Sequence, residues 1–233
     1  MNWHTAYFAF FTLLTMGCGY LWVKQGLGPE AAHRNLRYTL PWLLTGFAIA
    51  AVLPLFAFPL SRSWNLLYLL PVIIFSIWGL RWPHRKQRAG DLLLNAGRTW
   101  YNKTLFWIGI LEGGVATFIT WLSFGRLFQS ATVIDKSLQL PRVAFWWTIA
   151  IVLVSLGLSN LEIREKGLCF LYGVIPWRQI RAYRWEASQP NTLTVYYVER
   201  RFFLRSSFIS IRVPAKFRDS IDQIVAANLR EAD

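Results

Sequence analysis

The chain has 233 residues, of which 55% are hydrophobic and only 16% charged, with a mean hydropathy of +0.32. Soluble domains carry about 45–50% apolar and about 25% charged residues, so this composition excludes a disordered chain, a disulfide-stapled secreted miniprotein and an ordinary soluble enzyme. The formal charge of +13 would suggest nucleic acid in a soluble protein, but in a membrane protein it reports basic loops on the cytoplasmic side. Aromatic residues at 17%, with 13 Trp, agree, because Trp and Tyr gather where apolar surface meets water.

A spanning helix needs about 20 mostly apolar residues. Five stretches meet or approach that length: His4–Val23, Leu40–Leu60, Leu66–Leu80, Leu105–Phe124 and Val143–Leu158. The first has no Lys or Arg before it and no small-x-small site after it, so it reads as a retained helix rather than a cleaved signal peptide. Pro54 predicts a kink in the second. The brief link Ser61-Arg62-Ser63-Trp64-Asn65 makes the second and third segments an antiparallel hairpin. The third is short unless Trp64 and Trp82 serve as its interfacial ends.

Lys24, Arg34, Arg37, Arg81, Arg85, Lys86, Arg88, Arg98 and Lys103 fall on one side of the spans. Arg62, Arg126, Lys136 and Arg142 fall on the other. This excess puts the N-terminus outside and, after five spans, the C-terminal region in the cytoplasm. The expected domains are a transmembrane helical domain, 1–158, and a cytoplasmic domain, 159–233.

Arg85, Lys86 and Arg88 form a juxtamembrane basic cluster in Trp82-Pro83-His84-Arg85-Lys86-Gln87-Arg88. It suits an anionic headgroup or acidic partner, but basic loops of this kind are ubiquitous as plain topology signals, and that reading comes first. Asp91–Tyr101 is expected to continue as an interfacial amphipathic helix capped by Asp91, a reading that Gly97 weakens. Glu112 is the one acidic residue within a predicted span. A carboxylate there is costly unless paired, hydrated or protonated, so it is a candidate for proton or substrate passage. Alternatively it hydrogen-bonds Thr117 or a neighbouring subunit, while Gly113 and Gly114 permit close helix approach.

The composition changes at about residue 159. Residues 159–233 hold twelve Lys and Arg against eight Asp and Glu, so most of the excess charge lies in the membrane loops, which argues against a nucleic-acid face. Leu161–Arg164, Leu168–Tyr172, Ile175–Trp185, Thr192–Tyr197 and Phe208–Val213 show strand patterns, much of it strict alternation. Pro214 then opens a helical period in which Phe217, Ile221, Ile224, Val225 and Leu229 make one apolar stripe. The expected class is α+β: a bundle of about five spans, then a small antiparallel barrel-like domain with a C-terminal helix.

Glu165-Lys166-Gly167-Leu168, Ile175-Pro176-Trp177-Arg178-Gln179-Ile180, Tyr183-Arg184-Trp185-Glu186 and Asn191-Thr192-Leu193 resemble the ending of uncharacterised bacterial, notably cyanobacterial, multi-pass membrane proteins. That ending is similar to bacterial pleckstrin-homology-like domains, in which a glycine-apolar … Ile-Pro-Trp-x-x-Ile signature precedes the terminal helix. The resemblance covers about the last third of the chain. It implies a partly open sheet capped by a helix, with Gly167, Pro176, Trp177, Ile180 and Trp185 as its core signature, and a binding or scaffold role rather than catalysis. It also implies a bacterial inner membrane, or a thylakoid membrane in a cyanobacterium.

Arg178, Arg181 and Arg184, with Arg200, Arg201 and Arg205, either solvate the domain's exterior or offer phosphate-matching geometry to a lipid or acidic partner. Glu162, Glu165, Glu186 and Glu199 interrupt that field. His4, His33 and His84 are scattered and Cys18 and Cys169 lie far apart, so no metal site is expected. Phosphate loops, nucleophile elbows and zincin motifs are absent from the sequence. The expected function is therefore a non-enzymatic, cofactor-free membrane protein whose domain scaffolds protein or lipid, with membrane-complex subunits and anionic lipids as expected partners. The competing reading is a small transporter or channel component that uses Glu112.

Overall fold

The computed structural model describes residues 3–37, 68–129, 133–198 and 207–230. In chain order they form α1 (Trp3–Leu27), α2 (residues 29–37), α3 (Leu69–Leu80), α4 (Trp82–Arg88), β1 (Leu92–Gly97), α5 (Trp100–Gln129) and α6 (Val133–Leu158). There follow β2 (Leu161–Arg164), β3 (Gly167–Phe170), β4 (Gly173–Pro176), a 3-10 turn (Trp177–Gln179), β5 (Ile180–Trp185), β6 (Thr192–Tyr197), β7 (Ser207–Arg212) and α7 (Arg218–Arg230). The class is mixed α+β with antiparallel sheets. The second predicted span, its Pro54 kink, the Ser61–Asn65 link, and Arg200, Arg201 and Arg205 lie outside the described residues.

Among the described residues two helices are long and apolar enough to cross a membrane, Trp100–Phe124 and Leu140–Leu158. Only 11% and 17% of their most apolar stretches is buried, whereas the core helix of a soluble protein is mostly buried. Trp107, Leu111, Phe118, Trp121 and Ile151 all face outward. The structure therefore does not support a five-span bundle. Helix α1 is 25 residues long, whereas the third segment yields a helix of 12 residues, well short of the bilayer core.

Helices α5 and α6 form a tight antiparallel pair. A Cβ on Gly109 would lie 2.6 Å from the Val154 amide nitrogen, and one on Gly157 would lie 2.5 Å from Phe106 N and Cα. Small residues thus let the backbones meet, as they do between membrane helices. Among the described residues the expected pair Gly113 and Gly114 does not serve this purpose, since none lies within 4 Å of a Cβ built on either.

The open end of this helical pair is closed by a polar cluster. Asn102 Oδ1 accepts the Thr99 N–H at 3.1 Å, while Asn102 Nδ2 donates to the Leu156 carbonyl at 2.8 Å and to Ser159 Oγ at 3.0 Å. The reciprocal Thr99–Asn102 contact is a capping arrangement that starts α5. Its second half ties the end of α6 to the same point. The chain segments flanking the two helices are thereby brought side by side, and they pair as β1 with β2, Gly97 opposite Leu161. The expected interfacial helix over Asp91–Tyr101 is thus a strand. Gly90 at φ 84° and Gly97 at φ 74° bracket an apolar run too short for a helix.

The first sheet runs β1-β2-β3-β4 and the second β5-β6-β7. Both are open, and no closed barrel forms among the described residues. The chain divides into two compact units. One holds α1, α2 and most of the second sheet. The other holds α3 to α6, the first sheet and α7. In the first unit Leu193, Val195, Ile211 and Val213 are buried, and so are Thr192 and Thr194, so β6 is covered on both faces rather than alternating. In the second unit Leu161, Ile163 and Leu168 are fully buried. Helix α7 buries Ile221 and Val225, two members of the predicted stripe.

Candidate functional site

The second unit contains a cavity of about 740 Å³, within the range of small-ligand sites (about 300–1,000 Å³). Its cations come from three separate places: Arg85 and Arg88 from α4, Lys166 from the β2–β3 turn, and Arg178 from the 3-10 turn. Ala89, Val174, Pro176 and Trp177 supply the apolar wall.

Backbone hydrogen bonds hold these pieces together. The Lys166 N–H donates to the Ala89 carbonyl at 3.0 Å and the Glu165 N–H to the Asp91 carbonyl at 3.1 Å. Arg164 Nη1 reaches the Gly90 carbonyl at 2.8 Å. From the other side Trp177 secures the same turn. Its indole N–H points at the Arg164 and Glu165 carbonyls, at 3.2 and 2.9 Å, and its backbone N–H donates to the Lys166 carbonyl at 3.2 Å. The buried Trp of the Ile-Pro-Trp segment therefore fixes three successive carbonyls of the β2–β3 turn, and with them the position of Lys166. Gly167 is required here too, because a Cβ would collide with the Ile175 carbonyl and lie 2.8 Å from Pro176 Cα. Ile180 is buried and Trp185 half-buried.

The cavity is left electrostatically unbalanced, while the neighbouring cations Lys86 and Arg164 are neutralised. Lys86 Nζ reaches Glu162 Oε1 at 2.6 Å, and Arg164 reaches Glu162 Oε2 at 2.9 Å. Glu165 accepts the Asp91 N–H at 3.1 Å. Among the described residues Arg85, Arg88, Lys166 and Arg178 make no ion pair, and all four are exposed.

Of the nine basic residues singled out in the sequence, six are described; Arg85, Arg88 and Arg178 line one cavity and three do not. Lys86 is taken by Glu162. Arg184 pairs with Glu30 at 3.3 Å and Glu186 at 3.5 Å. Arg181 is exposed on β5 and does not line the cavity. Lys166 was legible only as a turn residue, because its place at the cavity depends on Trp177, eleven positions away, and on Ala89.

Beside this cavity stands the β3–β4 hairpin. Its two turn residues, Leu171 at φ 47° and Tyr172 at φ 59°, are both left-handed, as a two-residue hairpin turn requires but non-glycine residues resist. Tyr172 stacks on Trp82 with centroids 5.1 Å apart, lies 5.4 Å from the Trp78 ring, and hydrogen-bonds Ser155. The sheet is thus clamped onto α3, α4 and α6.

Two other groups bear on chemistry. Glu112 Oε1 is shielded from solvent and has no hydrogen-bond partner among the described residues. Thr117 donates instead to the Gly113 carbonyl of its own helix, at 2.8 Å. Burial, with the Glu162 charge in the same direction, pushes the Cys169 thiol up to about 11 against the opposing charges of Arg164 and Lys86. It stays protonated at neutral pH and is not a nucleophile.

In the first unit, Glu186 is wholly buried and accepts from Arg34 Nη2 and from Thr194 Oγ1 at 2.5 Å. Arg34 also reaches Tyr196 Oη at 3.1 Å and lies over the Tyr196 and Phe208 rings. Burial pushes the Glu186 carboxyl up, but hydrogen bonds involving Thr194, Glu30 and Arg34, with the Arg34 charge, outweigh it and hold the group below its ordinary value of 4.5.

Residues 159–230 match a family model described as a domain of unknown function (DUF5673). The match begins where the composition of the chain changes. Comparison with curated proteins and with solved structures gave no match.

Proposed function

We propose that the chain is a non-enzymatic integral membrane protein whose sheet domain is a lipid-binding scaffold at the bilayer surface. The observation that carries this reading is the convergence of Arg85, Arg88, Lys166 and Arg178 on one cavity that no acidic side chain lines among the described residues. Two outward-apolar helices support the membrane assignment. The polar cluster at Thr99, Asn102 and Ser159 fits the point where they leave the hydrocarbon. Six strands and a C-terminal helix in chain order after α6, with β1 from before α5 pairing at the edge of the first sheet, support a pleckstrin-homology-like plan. With α5 and α6 as a spanning pair, the basic segment before α5 and the domain after α6 share one side, which the positive-inside rule assigns to the cytoplasm of a bacterial membrane.

Each cation near an anionic surface is worth about 1 kcal/mol. Four together supply about 4 kcal/mol, or about a thousandfold in affinity. The test is lipid binding to the full chain purified in uncharged detergent. Anionic phospholipid should bind far more tightly than zwitterionic phospholipid, and replacing all four cations by Gln should abolish the difference. Equal binding of both lipids by the unaltered chain would end the reading.

One observation favours a second reading. The unpartnered, shielded Glu112 Oε1 in α5 is what a proton- or cation-conducting path would present. In reconstituted vesicles that reading requires a flux removed by Glu112→Gln, and identical traces for the two proteins would dispose of it.

A further inference from the structure

We infer that the cavity takes a lipid headgroup carrying two phosphate groups. This rests on the anionic-lipid reading above and narrows it. The four cations stand on two walls, each contributing two. Arg85 and Arg88 are one turn apart on α4, and Lys166 and Arg178 belong to the sheet side, held together by the bond from the Trp177 N–H to the Lys166 carbonyl. A headgroup with one charge would satisfy one wall and leave the other unneutralised. Two phosphates, one against each wall, match both. Arginine's planar fork suits phosphate oxygens bidentately, and lysine serves as a point charge. The cavity volume of about 740 Å³ leaves room for two phosphates and the linker between them.

The structure also favours a lipid as the source of these phosphates over a free anion. Leu70, Ile73, Ile74, Ile77 and Leu80 form one exposed apolar stripe along α3, Leu80 being 78% exposed. The chain passes from Leu80 into α4 through Arg81 alone, so an apolar face leads within about one helical turn to Arg85. A ligand with acyl chains on that stripe delivers its polar end to the cavity.

The full chain in uncharged detergent is titrated with cardiolipin, phosphatidylglycerol, phosphatidylcholine and inorganic pyrophosphate. Cardiolipin is expected to bind at least tenfold more tightly than phosphatidylglycerol at equal phosphate concentration, and pyrophosphate at least tenfold more weakly than cardiolipin. Arg88→Gln and Arg178→Gln, one from each wall, should each erase most of the cardiolipin preference. Arg81→Gln, which removes a charge outside the cavity, should change it less than twofold. Equal binding of cardiolipin and phosphatidylglycerol, both above phosphatidylcholine, would overturn the two-phosphate assignment and leave the anionic-lipid reading standing. Binding of phosphatidylcholine as tight as either would overturn both. Pyrophosphate binding as tight as cardiolipin would overturn the lipid source. A cardiolipin preference that survives loss of Arg88 and Arg178 together would overturn the cavity as its seat.

Discussion

Arg34→Ala should loosen the second sheet in a way that depends on pH. Glu186 has no exposed side-chain surface and Arg34 only 21%, so the substitution leaves a buried carboxylate with Thr194 and the more distant Arg184. Breaking a buried pair by removing one partner costs about 3–5 kcal/mol. The remaining contacts and the partial exposure of Arg34 place this case near about 3 kcal/mol, or about 150-fold in the opening equilibrium. In the unaltered chain the Glu186 value is depressed, so its contribution is present above 4.5 and is lost as pH falls through the folded value. In the variant, burial prevails and raises the value, so the penalty is full at neutral pH and is relieved as pH falls. The difference between the two proteins should therefore shrink from pH 7 to pH 4. Hydrogen exchange of peptides covering Thr192–Tyr197 and Ser207–Arg212 reads it directly, each pair compared at one pH. A double variant, Arg34→Met with Glu186→Gln, should recover most of the protection, because no charge is then stranded. An acceleration below fivefold, or one independent of pH, would refute the reasoning.

Gly157→Ala should separate α5 from α6, since the added Cβ meets Phe106 backbone at 2.5 Å. Overpacking of this kind costs about 1–3 kcal/mol, visible as an earlier midpoint in SDS-induced unfolding. Gly113→Ala, with nothing within 4 Å, should be neutral or stabilising by up to about 1 kcal/mol in the same titration. Trp177→Phe keeps the ring but removes the donor to the Arg164 and Glu165 carbonyls. It should cost about 1–3 kcal/mol in thermal unfolding and weaken anionic-lipid binding through Lys166, and unchanged lipid affinity would show that the turn is held without it.

Local pattern carried the elements whose cause is local. The stripe through Ile221 and Val225 identified α7, and alternation identified β6 and β7. The apolar runs before Phe124 and Leu158 identified two helices that can cross a membrane, although both begin earlier than hydropathy suggests because their polar first turns continue the helix. What the sequence hid was produced by pairing at a distance. Strand β1 exists because Asn102 joins the two ends of a helical hairpin and brings Gly97 beside Leu161; in isolation Leu92–Gly97 is an apolar fragment between two glycines. The close approach of α5 and α6 falls on Gly109 and Gly157 rather than on the more conspicuous Gly113-Gly114, since helix facing, not glycine density, selects the seam. The same holds for the cavity. Arg85, Arg88 and Arg178 could be named from charge alone, but their convergence could not, and Lys86 and Arg184 could be separated from them only once Glu162 and Glu186 were seen to claim them.

The central claim is that α5 and α6 cross the bilayer as a pair, so that the basic helix before them and the sheet after them meet on one face. Single cysteines at Arg88 and Lys166, introduced with Cys18 and Cys169 replaced by Ser, can be probed with a membrane-impermeant maleimide in sealed, uniformly oriented vesicles. Both should label from the same face, and together disappear when the reagent is confined to the opposite side. Labelling of Arg88→Cys from one face and Lys166→Cys from the other would contradict the account.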